Sequence, residues 1–364
     1  MKRRDFVRNV SVLGATAGLV RVAKPWAMAS FLMDESDRSP GRDPMTILRS
    51  TLVVDGCNGG PMNEAYLKKL KAAGVNCRIA GGSIEFPDEI VLTTTVREIQ
   101  QSYKQGKIAQ IYHGHYADFL GNEHNQPMGD PRPPVAEFYE QGLRICGICY
   151  NVVNIYGGGC LEPHVGLTLA GRRLVEEIHK LRVVLDVGGH TGEKTSLDAI
   201  EMAPEIPVVD THGNVLALND NPRCNSDRMI EAIAKAGGVL GINSFSDFMV
   251  RNPKNDHLPS TPQATLDQYL DQFDYIRKLV GVDYVGLGTD NVIEGGVRVW
   301  EGMNRAVMTP ESYSEVWTYP KDFESISDLP NFVRGLINRG WSTGEIRKVL
   351  GENWLRVYKQ VWGV

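Results

Sequence analysis

Short apolar runs alternate with helix-like segments along most of this chain. Eight such runs are rich in Val, Ile and Leu, and most of them end in a polar or ionisable residue. The runs lie at residues 51–55, 75–80, 108–113, 143–150, 183–190, 206–212, 238–243 and 284–290. Parallel strands that are buried on both faces have this composition, because neither face needs polar side chains. Since right-handed crossovers favour closure of such a sheet, the pattern predicts an α/β fold, a single (βα)8 TIM barrel.

The ends of these runs carry the candidate chemistry, because TIM barrels place their active sites at the C-terminal ends of the strands. The residues at or just after these ends include Asp55, Cys57, His113, Tyr150, His190, His212, Asn243 and Asp290. Imidazole, carboxylate and thiol groups are the ligands that zinc takes in proteins. The pattern therefore predicts a metal-dependent hydrolase site on one rim of the barrel.

The N-terminal segment has the features of an export signal. Residues 2–7 (KRRDFV) resemble a twin-arginine signal, a mildly apolar stretch covers 10–20, and residues 27–29 (AMA) offer a cleavage site. We predict a twin-arginine signal peptide at 1–29, a flexible leader at 30–46 and the barrel domain at 47–364. A basic amphipathic helix is the alternative for the first segment. The predicted location is periplasmic or extracellular.

Composition narrows the possible partners. The chain has 364 residues, and 42% of them are hydrophobic, which is enough for one large core. Its net charge is −5. No basic run occurs beyond the first residues, which argues against a nucleic-acid partner. No apolar stretch approaches the roughly 20 residues needed to cross a bilayer, so no membrane span is predicted.

Several segments resemble motifs of the renal or membrane dipeptidase family, a branch of the amidohydrolase-like metal barrels. These segments are 137–144 (EFYEQGLR), 166–172 (GLTLAGR), 185–191 (LDVGGHT), 211–214 (THGN), 221–223 (NPR), 286–290 (GLGTD) and 350–357 (LGENWLRV). The resemblance covers roughly residues 48–360. It implies the metal-barrel fold, a small peptide-like substrate and, as a further expectation, a homodimer.

The resemblance also implies roles for individual residues. Family members bind two zinc ions through an early His and Asp, a bridging Glu and two later His. His190 and His212 stand at the two later histidine positions. Arg223 stands at the position that grips the substrate's carboxylate, and Asp290 at the acidic position beside the bridging water.

Three motifs depart from the family pattern. The family's DGHxD is DGCNG at 55–59, so Cys57 replaces the histidine and Gly59 replaces the carboxylate ligand. The family's EGGH is YHGH at 112–115, without the bridging Glu. The family's THN is CYN at 149–151, so Tyr150 replaces the substrate-polarising histidine. Without a bridging carboxylate to hold two cations together, we expect one zinc ion at most, with none as the alternative.

The remaining residues suffice for a mononuclear site. We expect His190 and His212 to supply two ligands, and the candidates for a third are Asp290, Cys57 and His113. Three protein ligands leave a fourth position for water, as in catalytic zinc sites.

The candidates for catalysis and substrate binding lie on the same rim. Asp290 is the candidate base that takes a proton from water and returns it to the leaving amine. Tyr150 is a candidate for substrate binding and for donation to the developing oxyanion. Arg223 is expected to clamp a carboxylate, and Asn214 is a second substrate-binding candidate.

Structural interpretations stay open for the proposed metal ligands. One is that His190 and His212 are rim residues that bond Asp290 without a metal ion. Cys57 is a small filler, a thiolate ligand or a reactive thiol.

Two further positions are open as well. His113 and His115 are two residues apart, so along a strand they face the same side, and either is a candidate ligand. Arg223 has an acid such as Asp220 as an alternative partner.

Three functions follow from the sequence. The first is an exported metal-dependent hydrolase of a dipeptide or related small amide, with a rebuilt, mononuclear metal site. The second is a repurposed barrel that modifies a peptide-like metabolite, with Cys57 as the reacting group. The third is a catalytically silent barrel that binds a peptide-like metabolite through Arg223. The sequence therefore leaves open whether the protein is an enzyme.

Overall fold

The computed structural model describes residues 43–59, 62–120, 130–250, 262–291, 313 and 317–363. The predicted signal peptide and residues 30–42 of the predicted leader lie outside these residues. Residues 44–46, the end of that leader, instead begin the first helix, α1 (Pro44–Arg49), which Asp43 caps. Among the described helices, none combines the length and the apolar character that crossing a membrane requires.

Eight parallel strands form a nearly closed barrel, and the α/β TIM-barrel prediction is confirmed. The described strands are β1 (Val53–Asp55), β2 (Val75–Ala80), β3 (Ile90–Leu92), β4 (Ile108–Gly114), β5 (Leu143–Gly147), β6 (Val184–Asp186), β7 (Val209–Val215), β8 (Cys224–Asn225), β9 (Val239–Ile242) and β10 (Val285–Leu287). The barrel order is β1-β2-β4-β5-β6-β7-β9-β10. Two short strands were not predicted: β3 pairs with β4, and β8 pairs with β7.

Backbone hydrogen bonds join the last strand to the first. The amide of Gly56 donates to the carbonyl of Leu287 at 2.9 Å, and the amide of Asp290 donates to the carbonyl of Cys57 at 2.9 Å. Cys57 and Asp290 are therefore brought together at the C-terminal ends of β1 and β10.

Helices surround the barrel, and local sequence signals set several of their ends. After α1, the described helices are α2 (Glu64–Ala73), α3 (Val96–Lys104), α4 (Arg132–Glu140), α5 (Leu169–Lys180), α6 (Glu193–Met202), α7 (Asp227–Lys235), α8 (Asp247–Val250), α9 (Leu266–Leu279), α10 (Leu329–Asn338), α11 (Thr343–Arg347) and α12 (Asn353–Trp362). Gly74 ends α2 at φ 78°, and Ser342 with Glu345 forms a capping box on α11. A π-helical turn at Lys348–Glu352 joins α11 to α12, so the helical backbone continues through Gly351.

Helix α12 covers the N-terminal end of the barrel. The Arg356 side chain donates to the carbonyls of Gly238 (3.1 Å) and Asp283 (2.8 Å), which lie just before β9 and β10. Trp354 reaches into the interior and donates to the carbonyl of Leu287 at 3.0 Å. A Cβ at Gly286 would lie 2.5 Å from this indole, so glycine is needed there. With one end covered, the C-terminal ends of the strands are left for the site.

Candidate active site

Three potential metal ligands from different strands meet at the rim. Cys57 follows β1, His115 follows β4, and His212 lies in β7. The Cys57 sulfur and one ring nitrogen from each histidine all lie within 4.8 Å of one another. In the part of the chain that the structure describes, this is the one such group of three. A thiolate with two imidazoles is a donor set that suits zinc and leaves a fourth position open.

The His212 ring has one nitrogen that is free to bind a metal ion. Its Nδ1 lies 2.7 Å from the hydroxyl of Thr211, whereas its buried Nε2 has no hydrogen-bond partner within the described residues. Buried polar atoms without partners are rare in folded proteins, and a bound metal ion is one way in which such an atom is satisfied. The residues therefore fit a metal ion here.

Burial keeps the imidazoles of the rim neutral. Removal from water, reinforced by nearby positive groups, lowers the pKa of His115, His190 and His212 well below 6.5. A neutral imidazole carries one lone pair, which is the form that binds a metal. The site therefore needs no deprotonation of these rings at pH 7.

The Cys57 thiol is buried beside a carboxyl group. Its sulfur lies 3.5 Å from Oδ1 of Asp290, and the residue is 3% exposed. Burial first, and the charge of Asp290 second, raise the pKa of Cys57 well above the ordinary value. A protonated buried thiol is a poor nucleophile, which argues against the reactive-thiol alternative. A bound cation would reverse this, because a coordinating thiol is deprotonated.

Asp290 is held in a strained backbone conformation. Its φ is 51°, in the left-handed region that side chains other than glycine rarely adopt. The hydroxyl of Tyr319 donates to its carbonyl at 3.0 Å, and Asn243 donates to its Oδ2 at 3.2 Å. Burial raises the pKa of Asp290 to about 7, although Arg223 opposes the shift. A carboxyl group with such a pKa is suited to proton transfer near neutrality.

His190 lies next to the three ligand atoms but outside their group. Its Nδ1 is 2.7 Å from Oδ1 of Asn151, and its ring stacks on Tyr150 with centroids 3.9 Å apart. The ring centroid lies 4.8 Å from that of His115 and 4.9 Å from that of His212. Burial raises the pKa of Tyr150 well above its ordinary value, so its hydroxyl stays a proton donor.

His113 contacts a carboxylate below the rim. Its Nε2 lies 3.1 Å from Oδ2 of Asp186, but the angles between the two groups are not those of a hydrogen bond. Its ring centroid is 5.0 Å from that of His115, so the two histidines share one side of the chain. His115 is the one that lies among the three ligand atoms.

Arg223 is buried, and no carboxylate among the described residues pairs with it. It is 1% exposed, its Nε donates to the hydroxyl of Tyr313 at 3.2 Å, and its guanidinium carbon lies 5.1 Å from the centre of the Phe248 ring. Its Nη1 is buried and unpaired, and the described residues form no salt bridge with it, Asp220 included. A buried cation of this kind is ready to receive an anionic group.

Asn214 is engaged within the sheet. Its Nδ2 donates to the carbonyl of Asn243 at 3.1 Å, which ties β7 to the end of β9. Four residues to which the sequence assigned no role also contribute to the rim: Asn151, Asp186, Thr211 and Tyr313. Two of them could have been found from the sequence: Thr211 directly precedes His212, and Asp186 ends β6.

The fold and the rim define an α/β barrel with a candidate metal site at the C-terminal ends of its strands. The sequence model described as membrane dipeptidase (peptidase family M19) matches residues 83–316 and 311–364. The chain therefore belongs to the membrane dipeptidase family. The matched region begins after β1, so the segment that carries Cys57 lies before it.

Two relatives are similar to this chain over much of its length. An uncharacterized protein from the pqqA 5′ region of Klebsiella pneumoniae is 30% identical over 62% of this chain and 74% of its own length. Dipeptidase tcpJ of Claviceps purpurea is 23% identical over 72% of this chain, but the match spans only 55% of that relative.

Solved structures share the fold. An amidohydrolase from Pseudomonas aeruginosa superposes with a TM-score of 0.74 at 25% identity, covering 88% of this chain and 100% of that one. A metallo peptidase from Rhodobacter sphaeroides, liganded with a phosphinate mimic of the dipeptide L-Ala-D-Ala, superposes with a TM-score of 0.66 at 19% identity, covering 86% and 100%.

Proposed function

We propose that this protein is a metal-dependent hydrolase that cleaves an amide bond in a dipeptide or related small molecule. One zinc ion would be held by Cys57, His115 and His212. The observation that carries this proposal is the meeting of their three ligand atoms within 4.8 Å. His190 and His113, two candidates from the sequence, would then lie outside the set of ligands.

The chemistry of these donors supports a single ion. Zinc with three protein ligands supplies an activated water and polarises a carbonyl group. A second ion would need a bridging carboxylate, and the positions where the family places its extra carboxylates hold Gly59 and the sequence YHGH at 112–115. A substituted thiolate also compensates the positive charge of one zinc ion better than a neutral imidazole does.

Arg223 would fix the substrate through its carboxylate. Its Nη1 is buried and has no partner among the described residues, so it offers a charged donor in a place where a charge-assisted contact is strong. Tyr313 and Phe248 hold the guanidinium in position. This arrangement supports a substrate with a free carboxylate, and the dipeptide mimic bound to the Rhodobacter sphaeroides relative belongs to the same class.

Asp290 and Tyr150 would move and stabilise charge during cleavage. Asp290 sits beside the Cys57 sulfur, where its Oδ1 can take the proton of the attacking water and pass it to the leaving amine. The Tyr150 hydroxyl would donate a hydrogen bond to the developing oxyanion.

Metal content of the mature protein tests this function. The protein would be purified without chelators or nickel resin and measured by plasma mass spectrometry, beside His115→Ala and His212→Ala. We expect about one zinc per chain, lost in both variants, and hydrolysis in a screen of dipeptides and small amides. Two ions per chain would contradict the single-metal site. No metal even after reconstitution would contradict the hydrolase and favour the silent binding protein.

Export by the twin-arginine route completes the proposal. Its support is the sequence KRRDFV at residues 2–7 and the AMA site at 27–29. Arg3→Lys with Arg4→Lys should hold the protein in the cytoplasm of a host with this route, whereas wild type reaches the periplasm. Equal fractionation of the two would contradict export by this route.

A further inference from the structure

Thr211 stands between a carboxylate and a proposed metal ligand. Its amide donates to Oδ1 of Asp186 at 3.1 Å, and its hydroxyl oxygen lies 2.6 Å from Oδ2 of the same residue. The hydroxyl oxygen also lies 2.7 Å from Nδ1 of His212. All three residues are buried. A continuous chain of short contacts thus runs from Asp186 to the imidazole.

The chemistry of these groups fixes where the hydrogens lie. A threonine hydroxyl has one hydrogen to donate and lone pairs to accept, whereas a carboxylate can only accept. The Thr211 hydrogen therefore goes to Asp186. The same oxygen then accepts a hydrogen from Nδ1 of His212. The Nε2 of His212 is left with a lone pair, and this is the buried atom without a partner.

We infer that Asp186 and Thr211 form a hydrogen-bond relay that fixes His212 as the Nδ1–H tautomer and presents its Nε2 lone pair to the metal ion. Both are positioning residues, because they act through His212. The inference rests on the proposed function only for what Nε2 binds; the tautomer itself is a property of the metal-free chain. Partners of this kind around a metal-binding histidine typically change metal affinity by about 10–100-fold.

A second Asp–Thr pair on the barrel makes the same two contacts but has no histidine beside it. The amide of Thr289 donates to Oδ1 of Asp55 at 2.7 Å, and its hydroxyl donates to Oδ2 at 2.6 Å. This pair joins β10 to β1 as the first pair joins β7 to β6. The residue after Thr289 is Asp290, so no imidazole extends this pair. Thr289 is therefore a matched control for the structural part of the contact.

The test uses three variants and two measurements. Nitrogen NMR of the metal-free protein reports which ring nitrogen of His212 carries the hydrogen, with His212→Ala as the assignment control. Zinc affinity is measured by competition with a chelator. Thr211→Val should lose the preference for the Nδ1–H tautomer and bind zinc about 10–100-fold more weakly. Thr211→Ser keeps the hydroxyl and should behave as wild type, and Thr289→Val should keep the tautomer.

Asp186→Asn gives an independent test if Thr211→Val does not fold. The Thr211 amide still needs an acceptor at Oδ1, so the new NH2 group takes the place of Oδ2. That group donates to the Thr211 oxygen and turns the Thr211 hydroxyl towards His212. The relay then runs in reverse, and we expect the Nε2–H tautomer.

Two results would overturn the relay. One is a wild-type His212 with its hydrogen on Nε2. The other is a Thr211→Val protein whose tautomer or zinc affinity is unchanged. If the tautomers behave as expected but the wild type binds no zinc, the relay is supported as a property of the fold and the single-zinc function fails.

Discussion

The two halves of the barrel rim differ in how they relate to the dipeptidase motifs. The retained half, built around β6 to β10, has motifs that resemble those of the family and carries His190, His212, Arg223 and Asp290 at the matching positions. The replaced half, built around β1 to β5, has other residues there, namely Cys57, Gly59, Tyr150 and the sequence YHGH at 112–115. Both halves belong to one nearly closed barrel, so the difference lies in the side chains and not in the backbone fold.

In our proposal this difference separates the carboxylate clamp and the base from two of the three metal ligands. The retained half holds a buried guanidinium and a carboxyl group with a pKa of about 7. The replaced half still brings two donors, Cys57 and His115, towards His212 of the retained half. In our proposal the early metal donors were exchanged for a set that suits one zinc ion, and the oxyanion donor became Tyr150, while Arg223 and Asp290 were kept.

Replacing the thiol should have the largest effect. In Cys57→Ser we expect zinc affinity to fall by more than about 100-fold and hydrolysis to disappear, because a hydroxyl is a far poorer zinc ligand than a thiolate. A chelator competition measures the affinity. Cys146→Ser, another buried cysteine at a strand, is the control that loses stability but keeps zinc. An unchanged zinc affinity in Cys57→Ser would show that Cys57 is a small filler. It would also contradict the proposed difference between the two halves.

Removing the proposed base should come next. Asp290→Asn should lower kcat by about 10²–10⁴-fold, the range for loss of a general base, while zinc stays at one per chain. Asp283→Asn, just before β10, is the control. Loss of zinc in Asp290→Asn would instead make Asp290 a metal ligand, an alternative that the sequence left open.

Arg223→Met tests the retained half by itself. Loss of the buried partner should cost about 2–5 kcal/mol in kcat/KM for substrates with a carboxylate, and little for amides that lack one. The fold should become no less stable, because a buried cation without a carboxylate partner is removed. Arg144→Met is the control: this arginine stacks on Tyr139 at 4.1 Å and should affect stability without changing KM. Equal loss for both substrate classes would contradict the role of Arg223.

His190→Asn should have the smallest effect on metal binding. Because His190 lies outside the three ligand atoms, we expect one zinc per chain and an affinity close to wild type. The comparison is His212→Ala, in which zinc should be lost. Equal loss in the two variants would show that His190 is a ligand after all and that the retained half binds the metal as the family does.

The fold could be predicted from the sequence because parallel strands buried on both faces are short runs rich in Val, Ile and Leu. All eight predicted barrel strands occur, and the N-terminal capping box of α11 also follows the sequence. The short strands β3 and β8 were missed, since two or three residues carry too little pattern.

The site was predicted in its residue types but not in its pairings. The sequence YHGH offers two histidines, and a register shift between Tyr112 and His113 affects where each one lies. β4 ends at Gly114, so His115 is already in the following turn. The contact between Asp186 and Thr211 joins residues 25 apart in the chain, a distance over which local patterns carry no information. Such pairings come from the tertiary fold.

X-ray absorption at the zinc edge of the purified wild-type protein reports directly which atoms surround the metal ion. A single ion bound by Cys57, His115 and His212 predicts one sulfur neighbour at about 2.3 Å and nitrogen or oxygen neighbours at about 2.0–2.2 Å. The sulfur signal should vanish in Cys57→Ser. A spectrum without sulfur, or one with a second metal at about 3.5–4 Å, would contradict a single zinc ion bound by Cys57, His115 and His212.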